Sequence, residues 1–353
     1  MTRRVYNLII LATVIIVPTL VGVWWWHYLP VYQRREYFVQ VERALVADDL
    51  GKADEVLHKL LADGPKDQRT LFLYAQVSRK KGRIAEAWTA LHQAVQLGLP
   101  ESEGLREYAL LESRQDFPLA INALGRVLEE HPEDTEVLKA LAEGFAANRR
   151  WLEAERTYSR WLEIQPARTD LHMERAKVLL EAGRADQAAD EFQEVLRGSP
   201  HDYQARLLLA QCLMNDFKIE EAEAELKECR RLRTSSSDPL VGLASCAAER
   251  GDCEKAQALA KDALALDPNS PLALHMQGSL FLCTHKLDLA IGVYEKIARL
   301  FPRDKQGHLS LARAYSLKGD SRLAKKHEEL FQHLDHQDDQ RARETRRMPS
   351  VSK

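Results

Sequence analysis

Apolar side chains recur along most of this chain at the spacing of one helix face. Residues 170–182 carry such a face, and residues 185–196 repeat it on a second helix. Gly183 interrupts the pattern between the two, as at a helix C-terminus, and Pro200 closes the unit. The pattern predicts two short antiparallel helices, which need neighbours to bury their faces.

Copies of this unit run along the chain in register. Alanine marks the middle of the second helix at a step of about 34 residues, with one step a residue short: Ala53, Ala87, Ala120, Ala154, Ala188, Ala222, Ala256, Ala290 and Ala324. Small residues lie about twelve positions earlier, with Val41 and Tyr108 as the exceptions: Ala75, Ala142, Ala176, Ala210, Ala244, Gly278 and Ala312. A larger apolar residue follows most of the alanines by four positions: Leu57, Leu91, Leu124, Tyr158, Phe192, Leu226 and Tyr294.

With this period and these ladders the chain resembles the tetratricopeptide repeat superfamily from about Arg34 to Asp335. The resemblance implies an all-α fold, a right-handed solenoid of about nine helix-turn-helix repeats. It also implies a usual role in holding other proteins or peptides. We assign the solenoid to residues 34–336.

A run without charges precedes the repeats. Residues 7–29 are long and apolar enough to cross a bilayer, and three tryptophans from Trp24 stand where an interfacial aromatic belt lies. A buried core helix and a cleaved signal peptide are the alternatives; no small-x-small cleavage site precedes the tryptophans. The sequence predicts one transmembrane anchor helix at 7–29, behind a short basic N-terminus at 1–6.

The distribution of positive charges gives only a weak indication of the side of the membrane on which the repeats lie. Arg3 and Arg4 precede the apolar run, and Arg34, Arg35 and Arg43 follow it, so the positive charges nearly cancel. We expect a single-pass protein of the inner membrane with the repeats outside the cytoplasm. Free cysteines would fit a cytoplasmic location better.

Composition excludes several function classes. The net charge is −3 at pH 7 with no basic patch, so we expect no nucleic-acid partner. The chain lacks metalloprotease, phosphate-loop, dinucleotide and nucleophile-elbow motifs, so we expect no catalysis and no cofactor.

The five cysteines form no Cys-x-x-Cys pair, although a bond between Cys246 and Cys253 is conceivable. His333 and His336 share a helix face, but we predict a solvated helix end and not a metal site. Residues 337–353 are polar without an apolar period and predict a disordered tail.

The resemblance places partner binding on the first helices of the copies. The candidate groove residues lie about one, four and eight positions after each copy starts: Glu136, Lys139, Glu143, Asp170, Met173, Lys177, Gln204, Leu207, Gln211, Val241, Ser245, Leu272, His275 and Ser279. Some relatives clamp a C-terminal carboxylate with Lys and Asn, and this chain lacks that Asn beside Lys139. Apolar residues of the groove suit a helical or extended protein segment, although packing within the array explains them equally well.

Two functions fit these observations. The first is a membrane-anchored scaffold that binds a protein or peptide at the cell envelope, similar to single-anchor bacterial tetratricopeptide proteins. The lipopolysaccharide assembly regulators share that layout, but their terminal cysteine-rich module is missing here, so their function is not carried over. The second is an accessory or targeting subunit of a separately encoded envelope enzyme or secretion complex. The sequence leaves the oligomeric state and the partner open.

Overall fold

The computed structural model describes residues 32–62 and 67–346 of the chain. Every regular element in these two ranges is a helix. The all-α class and the repeating helix pairs predicted from the sequence are therefore confirmed for this part of the chain. The described residues divide into two compact units after Pro132.

The first unit contains three helix pairs among the described residues. Its helices are α1 (residues 32–46), α2 (Leu50–Ala62), α3 (Gln68–Lys80), α4 (Ile84–Gln96), α5 (Glu101–Glu112) and α6 (Phe117–Glu130). From α2 onward each helix packs against the next one in the sequence, as expected when a short turn joins antiparallel neighbours. Val41 of α1 shares a core cluster with Leu57 of α2.

The second unit contains six pairs built in the same way. Its helices are α7 (Thr135–Ala147), α8 (Trp151–Ile164), α9 (Thr169–Glu181), α10 (Ala185–Gly198), α11 (Tyr203–Asn215), α12 (Ile219–Leu232), α13 (Asp238–Glu249), α14 (Cys253–Leu266), α15 (Pro271–Cys283), α16 (Leu287–Leu300), α17 (Lys305–Lys318) and α18 (Ser321–Arg346). The odd-numbered helices are the first members of their pairs. Within this unit α11, α13, α15 and α17 also contact one another in succession.

Aspartate side chains start many of these helices. Asp134, Asp202 and Asp304 each precede a first helix of the second unit and accept a hydrogen bond from a backbone N–H of its first turn. Such a cap satisfies a donor that has no partner within the helix and stabilises it by about 1 kcal/mol. The helix boundaries therefore follow from local sequence signals.

The two ladders of small residues lie where helices cross. The alanines of the second helices are completely buried from Ala53 through Ala290, and Ala324 is 9% exposed. The larger residue four positions on packs into the same layer; Tyr294 is 1% exposed and lies directly over Gly278. The packing predicted from the ladders is confirmed, because only a small side chain leaves room for that ring.

One exception in the ladder has a simple origin. Tyr108 is 42% exposed, and its neighbour Ala109 is completely buried at the crossing instead. The spacing from Ala75 to Ala109 is the regular 34 residues, whereas that from Ala87 to Ala120 is 33. The third pair is thus one residue shorter than the others, and the fixed spacing placed the crossing one position too early.

A buried ion pair joins two first helices of the first unit. The Arg79 Nε atom on α3 donates to the Glu107 Oε1 atom on α5 at 2.5 Å, and both side chains are almost fully buried. Removing one member of such a pair typically costs about 3–5 kcal/mol, because the other charge stays buried. The pair therefore requires these two helices to keep one register.

The predicted transmembrane helix requires a correction to the fold class. No helix in residues 32–62 or 67–346 combines the length and the apolar composition that spanning a bilayer requires. The longest, α18, has 26 residues and is strongly polar. The fold of the described residues is thus a set of helical repeats without a transmembrane helix, and the predicted anchor at 7–29 lies outside them.

The end of the chain differs from the predicted disordered tail. Helix α18 continues through residues 337–346, ten residues into the segment for which we predicted no structure. This segment contains no Gly or Pro, and three of its ten residues are Arg and two are Gln, which favour a helix even without an apolar face. Residues 347–353 lie outside the described part.

Candidate partner-binding groove

The predicted groove residues all lie in the second unit. They are distributed over α7, α9, α11, α13 and α15, the first helices of five successive pairs. We call the side of these helices that bears them the groove face. It comprises the second, fifth, ninth, twelfth and thirteenth positions counted from Thr135, Thr169, Tyr203, Ser237 and Pro271.

The middle of the groove face has an apolar floor. Met173 on α9 and Leu207 and Met214 on α11 are half-buried. All three pack against the core cluster that contains Phe192 and Leu209. Each side chain therefore has one part in the core and another part open to solvent. Such side chains offer apolar surface without needing to rearrange.

Polar side chains on α7 and α9 form exposed ion pairs. The Lys139 Nζ atom lies 3.8 Å from Glu143 Oε1, and Lys177 Nζ lies 2.8 Å from Glu174 Oε1. Asp170 pairs with Arg168, whose hydrogen bond holds the pKa of that carboxyl below its usual value. Exposed pairs of this kind contribute only about 0–1 kcal/mol each. Their charges can therefore be exchanged for those of a bound partner at little cost.

Two predicted groove residues have other roles. Val241 is only 9% exposed and packs with Leu240 and Ala273, so little of its side chain is accessible to a partner. The close packing of α13 against α14 and α15 covers it. His275 is held by Asp304, with 2.5 Å between the Nε2 and Oδ2 atoms. It joins α15 to the residue that caps α17.

The other predicted residues are accessible to different degrees. Gln204 and Gln211 on α11 are exposed, and Leu272 on α15 is 59% exposed. Ser279 is exposed and its hydroxyl donates to the Met276 carbonyl. The remaining two, Glu136 and Ser245, are half-buried.

A cleft also lies in the first unit, where we predict no site. It has a volume of about 530 Å³ and is bordered by α1, α3 and the start of α5. Arg69, Phe72 and Gln76 line it from the second, fifth and ninth positions of their copy. Applying the repeat positions to this copy as well would have identified it.

The described residues carry little reactive chemistry. Burial raises the pKa of the Cys212 thiol to about 12 and that of Cys229 to about 11, so both stay protonated and are poor nucleophiles. All five cysteines are unpaired, including Cys246 and Cys253. Within these residues no group of three or more His, Cys, Asp or Glu side chains is arranged to hold a metal ion. His333 is exposed and contacts Gln337.

Comparisons with known proteins agree with this architecture. Profiles described as tetratricopeptide repeat match residues 109–169, 179–232 and 241–305. A chain in the structure of the APC/C heterotetramer Cut9–Hcn1 has 16% sequence identity to this chain and superposes with a TM-score of 0.51. The match covers 85% of this chain and 59% of the other chain. That likeness shows a shared fold.

Two smaller structures match about half of this chain. MamA is 22% identical over 47% of this chain and 96% of its own, with a TM-score of 0.38. A thermophilic tetratricopeptide protein of Thermus thermophilus is 22% identical over 49% of this chain and 95% of its own, with a TM-score of 0.44. No curated protein matches the sequence.

Proposed function

Because the chain belongs to the tetratricopeptide repeat superfamily, we propose that its second unit is a scaffold without catalysis that binds a segment of another protein. The binding surface is the groove face of α9 and α11 with the adjoining parts of α7 and α13. Proteins of this fold generally bind proteins or peptides. The proposal concerns this surface and does not depend on the compartment in which the chain lies.

The apolar floor is the observation that carries the proposal. Met173, Leu207 and Met214 are already ordered by their contacts with the core, so a ligand does not have to immobilise them. Covering half-exposed apolar side chains gains roughly 25 cal/mol for each Å² removed from water. Exposed amides at Gln204 and Gln211 flank the floor and provide hydrogen-bonding groups for a polar rim.

Site-specific photo-crosslinking tests the proposal. A benzophenone amino acid replaces Gln204 or Gln211 on the groove face of the full-length chain, or Gln187 or Gln193 on α10 as matched controls. All four glutamines are exposed, so the replacements have similar effects on folding. We expect one protein to be captured in the source cells from positions 204 and 211 and not from 187 or 193.

A pair of leucine substitutions tests whether capture depends on the apolar floor. Leu207→Gln should reduce capture from position 211, whereas Leu152→Gln should leave it unchanged; Leu152 is an exposed leucine of α8 outside the groove face. Circular dichroism shows whether each variant remains folded. Equal capture from groove and control positions, or none from the groove, would refute the proposal.

A further inference from the structure

The acidic surplus of the second unit lies on its groove face. Residues 133–349 contain 33 Lys and Arg and 37 Asp and Glu side chains. The groove face holds two lysines, Lys139 and Lys177, and six carboxylates: Glu136, Glu143, Asp170, Glu181, Asp238 and Glu249. On this face carboxylates outnumber lysines by four, which is also the excess of acidic over basic side chains in the whole unit. The acidic and basic side chains of the rest of the unit are therefore equal in number.

Neighbouring carboxylates occupy both lysines. Lys139 is paired with Glu143, and Lys177 with Glu174. In contrast, Glu181, Asp238 and Glu249 have no ion pair within 4 Å among the described residues. The nearby Arg250 is directed to Glu220 and Glu223 on α12. The groove face thus presents three carboxylates without a matching cation among the described residues.

These carboxylates lie on either side of the floor. Glu181 is on α9, and Asp238 and Glu249 are on α13. Asp170 is also on α9, but it is paired with Arg168. The helix between them, α11, has no charged residue at any of its five groove-face positions, and it supplies Leu207 and Met214. The chemistry along the surface is therefore acidic, apolar and acidic again.

We infer that the partner segment carries apolar anchors flanked on both sides by lysine or arginine. The inference rests on the proposed function and adds the chemical class of the ligand. The anchors cover the floor between Met173 and Met214, and the basic residues meet the unmatched carboxylates. Complementary charges of this kind raise the association rate and discriminate against acidic partners.

Three labelled synthetic peptides test the inference by fluorescence anisotropy with the full-length chain. They share a central Leu-Met anchor sequence and differ only in flanking residues, which are Lys, Ser or Glu. We expect the Lys-flanked peptide to bind at least ten-fold more tightly than the Glu-flanked one at low salt. Raising the ionic strength should reduce this preference, because exposed charges are screened.

Charge-reversal variants test whether the preference for the Lys-flanked peptide depends on the carboxylates of the groove face. The variant Glu181→Lys/Glu249→Lys should lose about ten-fold in affinity for the Lys-flanked peptide. The variant Asp190→Lys/Asp262→Lys changes the net charge equally at exposed sites on α10 and α14 and should bind as the unmodified chain does. Equal losses in both variants would show a general charge effect and overturn the inference.

The peptides also separate this inference from the proposed function. If the Ser- or Glu-flanked peptide binds as tightly as the Lys-flanked one and competes with capture at Gln211, the scaffold role stands and the charge preference is wrong. If no peptide binds but a protein is still captured at Gln204 and Gln211, the basic segment is likewise wrong. Absence of both binding and capture contradicts the two together.

Discussion

The same substitution, glycine to alanine, is expected to affect stability differently at two glycines of one helix pair. A Cβ atom at Gly278 on α15 would lie 2.6 Å from Cζ and 2.9 Å from Cε1 of Tyr294. A Cβ atom at Gly292 on α16 would have no neighbour within 4 Å, and this residue is exposed. Gly278→Ala therefore tests the packing of the repeat, and Gly292→Ala is its matched control.

The expected magnitudes follow from two opposing effects. Alanine is favoured over glycine in a helix interior by about 0.8–1.0 kcal/mol, and both variants gain this amount. At Gly278 the added methyl group must displace a ring that is 1% exposed, and such overpacking costs about 1–3 kcal/mol. We expect Gly292→Ala to be stabilised by about 1 kcal/mol and Gly278→Ala to range from unchanged to destabilised by about 2 kcal/mol.

Urea unfolding followed by circular dichroism measures the difference between the two variants. Because the helix preference cancels, the difference reports the packing cost alone. With a slope on the order of 2 kcal/mol per molar urea, the midpoints should differ by roughly 0.5–1.5 M. If Gly278→Ala is stabilised as much as Gly292→Ala, the close contact between small residue and ring does not limit the repeat.

Two further predictions concern a turn and a half-buried histidine, His327. Phe217 is 79% exposed and has a left-handed φ of 58°, where the equivalent turn residues Gly183 and Gly251 have φ of 77° and 80°. Phe217→Gly should raise the free energy of unfolding by about 0.5–1 kcal/mol. The substitution removes a backbone strain of about 1–2 kcal/mol, but glycine loses more conformational freedom on folding. An unchanged or lower melting temperature would contradict this. Burial and the neighbouring His308 lower the pKa of His327 below its ordinary 6.5, so the unfolded chain takes up this proton first and stability falls as pH drops below that value. His327→Gln should lose less stability than the unmodified chain between about pH 7 and about pH 5; an equal or greater loss would refute the assignment.

The helix pairs could be predicted from the sequence because the signals are local and periodic. Each ladder reports a contact between helices that are neighbours in the sequence, so one spacing rule identifies most of the crossings. The rule failed at Tyr108 and Ala109, where one copy is a residue shorter. The short step from Ala87 to Ala120 reveals the deletion in the sequence, but only the burial of Ala109 shows which residue lies at the crossing.

Polar contacts between copies were harder to predict. Arg79 and Glu107 are 28 residues apart, and nothing in the local pattern indicates that they are buried together. One set had a usable signal. His172, Arg206 and His308 each contact the carbonyl oxygen of the proline six residues earlier. A polar residue at that spacing, repeated in three copies, indicates a structural contact at the turn between copies.

The groove residues show why a repeat position alone does not define a binding site. Met173, Leu207, Val241 and His275 occupy the same position of successive copies. The first two keep exposed surface, the third is covered by α15, and the fourth is held by Asp304. The position sets the direction of the side chain, and the neighbouring helices decide whether a partner can reach it. Since accessible apolar side chains at this position are confined to α9 and α11, we expect substitutions there to weaken partner binding more than equivalent ones on α13 and α15.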